Sequence, residues 1–300
     1  MKKMLVSLLI LMVMTLVGCL NIPVFSGNVV NDPVSGDVVN DPIPLNAEKV
    51  IFLPKPQSLQ KYGYSDYSEQ SKGYDGISYE QLVGKIAYVL DPLPFFRVFG
   101  RNLRLQLENG QIIFNRSSGI HGTLLPSVAF VSELEGALKY IGNTIWYKGN
   151  EGSFRYVGYS SVPTGIENLE QLVVMNITYG FIESRPLCFC LQKEDGSQIE
   201  WHGSDSGINN RTESIPLFSE EFFFEDPEQL YPDWSEEIWQ LIRQSKIKLG
   251  MTRDMLLLSW GEPTEINKSV GSWGIHEQFV YRDCNSYVYV ENGKITSWQN

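Results

Sequence analysis

Histidines, cysteines and acid pairs are where chemistry would sit in this chain, and they are few. Only three histidines occur, His121, His202 and His276, with four cysteines, Cys19, Cys188, Cys190 and Cys284. Metal sites need such residues at recurring short spacings. No His-Glu-x-x-His, paired Cys-x-x-Cys or EF-hand loop is present. Cys188-Phe-Cys190 could be half of a metal site, but a second half is missing. The run Leu187–Leu191 alternates like a strand, so both thiols point to one face, with Cα atoms roughly 6.6 Å apart. A bond between them would be strained, and half-buried strand positions fit them better. Neither a Gly-x-Ser-x-Gly elbow nor a P-loop occurs, and Gly203-Ser-Asp-Ser-Gly207 has the wrong spacing. His202 with Asp205 can be drawn as an acid–base pair, but the stretch around it is rich in Ser, Gly and Asn and reads as a loop. Ser219-Glu220-Glu221 reads as a solvated acidic face. The chain is therefore expected to be no enzyme, with no catalytic residue, no metal and no small-molecule cofactor.

Cys19 has a different setting. Lys2 and Lys3 precede an apolar run from Met4 to Val17, and Gly18-Cys19 closes it. A basic start followed by about 15 apolar residues is a secretory signal, and a helix of that length rises about 22 Å, short of the ~30 Å hydrocarbon core. Leu16-Val17-Gly18-Cys19 resembles the lipobox of bacterial lipoproteins. That resemblance implies removal of residues 1–18, a diacylglyceryl group on the Cys19 sulfur and usually an N-acyl chain. Two or three acyl chains hold a protein on a membrane where one would not. By resemblance to Gram-negative sorting, Leu20 after the cysteine implies the outer membrane, facing the periplasm or the surface. Removing residues 1–18 takes away Lys2, Lys3 and no acid, so the net charge of −11 becomes −13. That balance excludes nucleic acid as an expected partner and leaves acyl burial as the one strong membrane attraction.

Four segments are expected to carry these residues. After the signal, 19–48 is a flexible tether holding a tandem nonapeptide, Ser26–Val34 then Ser35–Ile43, whose Gly, Asn, Asp and Pro favour turns. Apolar residues at 43% and aromatics at 12% are enough to build packed cores beyond it. Residues 49–227 read as β-rich, built from small barrel-like or hairpin modules. Leu103, Leu105 and Leu107 share one face of a strand, and Asn109-Gly110 predicts a type I′ turn into Ile112–Phe114. Leu187–Leu191, Asp195-Gly196 and Gln198–Trp201 repeat that logic. Similar lead-ins stand before both hairpins, Glu80–Tyr88 and Glu170–Tyr179, with a partial third at Leu138–Tyr147. Residues 228–300 read as a small α+β domain, two helices packed on an antiparallel meander. Asp233-Trp-Ser-Glu236 is a possible capping box. The first helix is expected to run through Lys246 and Lys248 to a stop at Gly250, the second from a Thr252 cap to Gly261.

Gly250-Met251-Thr252, Trp260-Gly261-Glu262-Pro263, Phe279-x-Tyr281 and the strand after Asn292-Gly293 together resemble the SmpA/OmlA (BamE-like) lipoprotein domain. The resemblance covers about residues 236–300 and departs from the family in Trp260, where Leu is commoner. It implies a fold shared with secreted β-lactamase inhibitor proteins and a non-enzymatic role in outer-membrane assembly or envelope integrity. The expected function is thus a membrane-anchored binding or scaffold protein with an envelope protein as partner. An inhibitor or immunity-like protein and a cell-wall hydrolase acting through His202 are the alternatives. On the strand Ile275–Tyr281, Ile275, Glu277, Phe279 and Tyr281 are expected to cover the helices, with Arg243 or a helix N-terminus beside Glu277. His276 and Gln278 face the other way, with Trp273 nearby, and these three are the candidate partner-binding residues.

Overall fold

Runs in which every second side chain is apolar make strands with one dry face, because successive residues of an extended chain point to opposite sides. Ile86–Val89, Ile112–Asn115 and Thr144–Tyr147 bury alternate residues in this way. The computed structural model describes residues 43–45, 47–70, 75–91, 103–115, 125, 127–149, 166–182, 185–208, 217–272 and 274–299. The signal segment, Cys19, most of the tether, His121 and Trp273 lie outside the described residues. Among the described residues no helix is long and apolar enough to cross a membrane.

The chain is mostly β. Strands β1 Lys49–Phe52, β2 Tyr67–Ser68, β3 Ile86–Val89, β4 Leu103–Leu107, β5 Ile112–Asn115 and β6 Val128–Phe130 form a sheet in the order β2-β5-β4-β3-β1-β6. A second sheet comprises β7 Thr144–Tyr147, β8 Gln171–Ile182, β9 Arg185–Lys193, β10 Gln198–Gly203 and β11 Phe222–Phe223, in the order β10-β9-β8-β7-β11. The third is a plain meander of β12 Glu265–Gly271, β13 Gly274–Tyr281, β14 Ser286–Glu291 and β15 Lys294–Gln299. All pairings of these strands are antiparallel. Helices α1 Tyr79–Leu82, α2 Val131–Ala137, α3 Glu236–Arg243 and α4 Arg253–Trp260 lie between strands in chain order. The described residues belong to one compact unit with three apolar cores.

The sequence repeats and the structural repeats divide differently. The lead-ins ending at Tyr88 and Tyr147 share a helical turn, a glycine with positive φ and a strand: α1, Gly84 and β3, then the 3-10 turn Leu138–Tyr140 that follows α2, Gly142 and β7. Glu170–Tyr179 is extended chain, almost all of it within β8. In the first sheet β1, which precedes β2 and α1 in the chain, pairs with β3. Its counterpart β6 pairs with β1 instead, and β11 takes the place beside β7. Helix α2, between them, carries a fully buried Glu133. Its carboxylate accepts from Ser204 Oγ (2.6 Å), the Asp205 amide (2.9 Å), the Ser206 amide (3.2 Å) and the Ser206 hydroxyl. A buried carboxylate needs donors on this scale to offset the water it loses.

Turn chemistry corrects one expectation. At the first hairpin only Gly110 has positive φ, and the amide of Gly110 donates to Leu107 while that of Leu107 donates to Gln111. That is a three-residue loop, a type I turn closed by a glycine bulge, where a type I′ turn would need Asn109 at positive φ as well. The Asp195-Gly196 hairpin closes identically, pairing Lys193 with Ser197 around Gly196. Asn292 and Gly293 both have positive φ, so the two-residue turn falls between β14 and β15.

Helix ends correct others. The expected capping box at Asp233 gives way to Ser235 as N-cap of α3. That helix stops at Arg243, well before Gly250, because Ser245 adopts φ +52. The Ser245 amide then donates to Ile242 and the Lys246 amide to Leu241, the paired bonds of a Schellman motif. Thr252 caps α4 by accepting from the Met255 amide (3.3 Å). Gly261 ends it at φ +79, ψ −169, not the left-handed helical cap but an extended region open almost only to glycine. The third core holds Trp239, Ile242 and Leu256 of the helices with Phe279, Tyr281, Val288, Val290 and Ile295 of the sheet. Leu169, from the segment before β8, is buried in the same core. Beside it the Asn168 amide donates to the carbonyls of Ile242 and Leu258, each 2.8 Å away.

Candidate binding face on the C-terminal sheet

Alternation along β12, β13 and β14 assigns every residue to one of two faces. Ile266, Phe279, Tyr281, Val288 and Val290 turn toward the helices and the third core. Their neighbours Asn267, Ser269, His276, Gln278, Tyr289 and Glu291 turn the other way, and cross-strand register aligns them in rows: Asn267, Gln278 and Tyr289, then Ser269, His276 and Glu291. These six line a shallow concavity of about 330 Å³ with Lys268, Glu277 and Val290. Val290 is fully buried on the core side, so it offers the concavity its backbone. A hydrogen-bonded chain crosses the first row. Asn267 Nδ2 donates to Gln278 Oε1 (3.1 Å), and Gln278 Nε2 donates to the Tyr289 hydroxyl (3.2 Å). In the second row His276 Nδ1 lies 3.4 Å from Glu291 Oε1. Strand β12 has most of its residues exposed and is an edge among the described residues, so the face continues into a backbone ladder open on one side there.

His276 and Gln278 thus share the concavity, while Trp273, the third candidate residue, lies outside the described residues. Two expectations on the same strand are corrected. Ile275 does not cover the helices: it is 39% exposed and pairs with Val270, 66% exposed, where the sheet overruns them. Glu277 is buried as expected, but its partner is Lys268 Nζ at 3.4 Å, its cross-strand neighbour. Arg243 is engaged by Glu236 Oε1 (3.0 Å) and by Glu228.

A second group escapes sequence reasoning. His202 lies on strand β10 rather than in a loop, and Asp205 pairs with Lys139 Nζ at 3.3 Å instead of with His202. Register places His202 directly opposite Cys188, and alternation puts Glu200 on the same face. One ligand atom from each of Cys188, Glu200 and His202 lies within 4.8 Å of the other two. His202 Nε2 is 3.6 Å from Glu200 Oε2, whereas its Nδ1 is buried and makes no hydrogen bond among the described residues. Burial holds the imidazole below its usual range, Glu200 acts against that shift and Arg185 adds to it. The signal that could have found this group is the hairpin loop. A two-residue turn at Asp195-Gly196 would set His202 opposite Phe189, and the three-residue loop moves the register by one to Cys188.

Compared with models of known protein families, with curated proteins and with solved structures, the chain has no match.

Proposed function

We propose that this chain is a lipoprotein anchored in the cell envelope through acylated Cys19, and that it acts as a non-enzymatic binding or scaffold protein. Its partner, on this reading, is another envelope protein, and the role is one in outer-membrane assembly or envelope integrity. The C-terminal residues 228–300 are read as a small α+β domain of the SmpA/OmlA (BamE-like) kind, two helices on a meander. The observation that carries the reading is the outer face of β12–β14. Its concavity is mostly polar, is lined by one aromatic, Tyr289, and borders an exposed edge strand. Amphipathic aromatics among hydrogen-bonding groups fit protein interfaces, and an unpaired edge can accept a strand from a partner.

A photo-crosslinking residue at Gln278, in the full chain in intact cells, tests this directly. It is expected to capture one discrete partner, whereas the same residue at Gln192, on the second sheet, does not. The pair His276→Ala and Gln278→Ala is expected to reduce capture by a crosslinker at Asn267 at least fivefold and to leave the melting temperature unchanged. Capture that ignores the double substitution would remove this face from the function.

A further inference from the structure

Cys188, Glu200 and His202 bring a thiol, a carboxylate and an imidazole to one spot on two hydrogen-bonded strands. We propose that this group is a binding site for a divalent transition-metal ion of the zinc class, held by Cys188 Sγ, a Glu200 carboxylate oxygen and an imidazole nitrogen of His202, with water in a fourth position. The proposal is independent of the binding face on the third sheet.

The donor set is the first argument. Thiolate and imidazole select zinc, cobalt and copper over magnesium or calcium, and three protein ligands plus water is a common zinc arrangement. Spacing is the second. Around a tetrahedral zinc with bonds near 2.1 Å, neighbouring N and O ligands stand about 3.4 Å apart. His202 Nε2 and Glu200 Oε2 are already 3.6 Å apart, and the three ligand atoms span no more than 4.8 Å, so modest side-chain rotation closes the shell. Backbone placement is the third. Cys188 and His202 are a directly opposed pair, and Glu200 is two residues from His202, so the ladder itself fixes all three Cα positions.

The surroundings fit a held imidazole. Phe181 packs against the His202 ring edge-on, with centroids 5.8 Å apart. Gly180 lies beneath it, and a Cβ there would come within 3.2 Å of His202 Nδ1. Glycine at 180 therefore leaves the ring its room. A neutral imidazole is the form that ligates, and burial favours the neutral form here. Glu200 is half exposed, which leaves the site an approach from solvent.

Cobalt(II) reports thiolate ligation through a sulfur-to-metal charge-transfer band and tetrahedral geometry through its visible bands. The full chain, reduced and carrying Cys19→Ser, is expected to bind one equivalent of cobalt with both signatures and to release it to one equivalent of zinc. Cys188→Ser is expected to abolish the charge-transfer band, and Glu200→Gln and His202→Asn to weaken binding at least tenfold. Cys190→Ser, Cys284→Ser and His276→Ala are expected to keep it. Zinc should raise the melting temperature of the parent chain and not that of Cys188→Ser, since binding to the folded state alone stabilises it. Because Glu200 is half exposed, Glu200→Gln keeps the test meaningful if a buried variant fails to fold. No cobalt band in the parent chain, or a band that survives Cys188→Ser, overturns the proposal.

Discussion

Asn168 is buried, and its amide reaches two carbonyls at once, those of Ile242 and Leu258 in the last turns of α3 and α4. The last carbonyls of a helix lack partners within it, so this side chain supplies a donor to the Leu258 carbonyl and a second donor to that of Ile242, which also accepts from the Ser245 amide. Asn168→Ala removes both of these hydrogen bonds from a dry place, and is expected to cost about 1–3 kcal/mol in urea unfolding. An unchanged midpoint would mean that water replaces the amide. Glu221 gives the second residue-scale expectation. Burial pushes its carboxyl up to about 7, against the pull of Lys148. A carboxyl raised in the folded state stabilises fully below its ordinary range and loses that contribution as pH rises toward 7. Stability should therefore fall between pH 4.5 and about 7 in the parent chain, and Glu221→Gln should flatten that part of the profile. An identical slope in the variant would exclude Glu221 as its source. Neither role is legible in the sequence, where Ser219-Glu220-Glu221 reads as a wet acidic face. The charges that face Glu221 from other strands, Lys148 and Arg185, come from distant parts of the chain.

At the scale of elements, period-two alternation located strands well and turn type decided what they brought together. The outer face bearing His276 and Gln278 is readable from Ile275–Tyr281 alone, because alternation needs no partner strand. The Cys188–His202 pairing is not, because it depends on whether the hairpin loop has two residues or three. Helix α3 ends early for a similar reason: Leu249 continues the apolar spacing, but Ser245 turns left-handed and the chain leaves the helix. At Ser245 glycine would suit the backbone better, at the loss of a 3.4 Å contact from its hydroxyl to the Gly149 carbonyl. At Gly261 the preference is stronger. Its φ +79, ψ −169 is closed to residues with a Cβ, and its carbonyl accepts from the Tyr281 hydroxyl at 3.0 Å. Gly261→Val is expected to cost at least about 1 kcal/mol and to lower the melting temperature by several degrees. A neutral result would show that the helix end reshapes without strain.

At the scale of the whole molecule, the question is which parts depend on which. Deleting one nonapeptide, Ser35–Ile43, is expected to leave the melting temperature within about a degree, since turn-rich chain of this composition adds reach and no packing. Cys19→Ala is expected to move the protein into the soluble exported fraction or to leave it uncleaved, and cleaved protein still on the membrane would end the lipoprotein reading. The C-terminal residues pose the sharper case. Sequence texture puts a boundary near 228, yet the third core takes Leu169 and leans on Phe223, and Asn168 caps both helices from the same outside segment. A fragment of residues 228–300 therefore loses one buried leucine, worth about 2 kcal/mol, and the two hydrogen bonds from Asn168, worth about 1 kcal/mol or more. A single core in a chain this short rarely supplies more than 3–5 kcal/mol. The fragment is thus expected to retain helix and strand signals in circular dichroism but to unfold at a much lower urea concentration than the full chain. Within the full chain, Leu169→Ala should likewise speed hydrogen exchange in α3, α4 and β13 while leaving β3 to β5 protected. A fragment as stable as the full chain, or exchange that rises equally in the first sheet, would show that the third core does not depend on this outside segment.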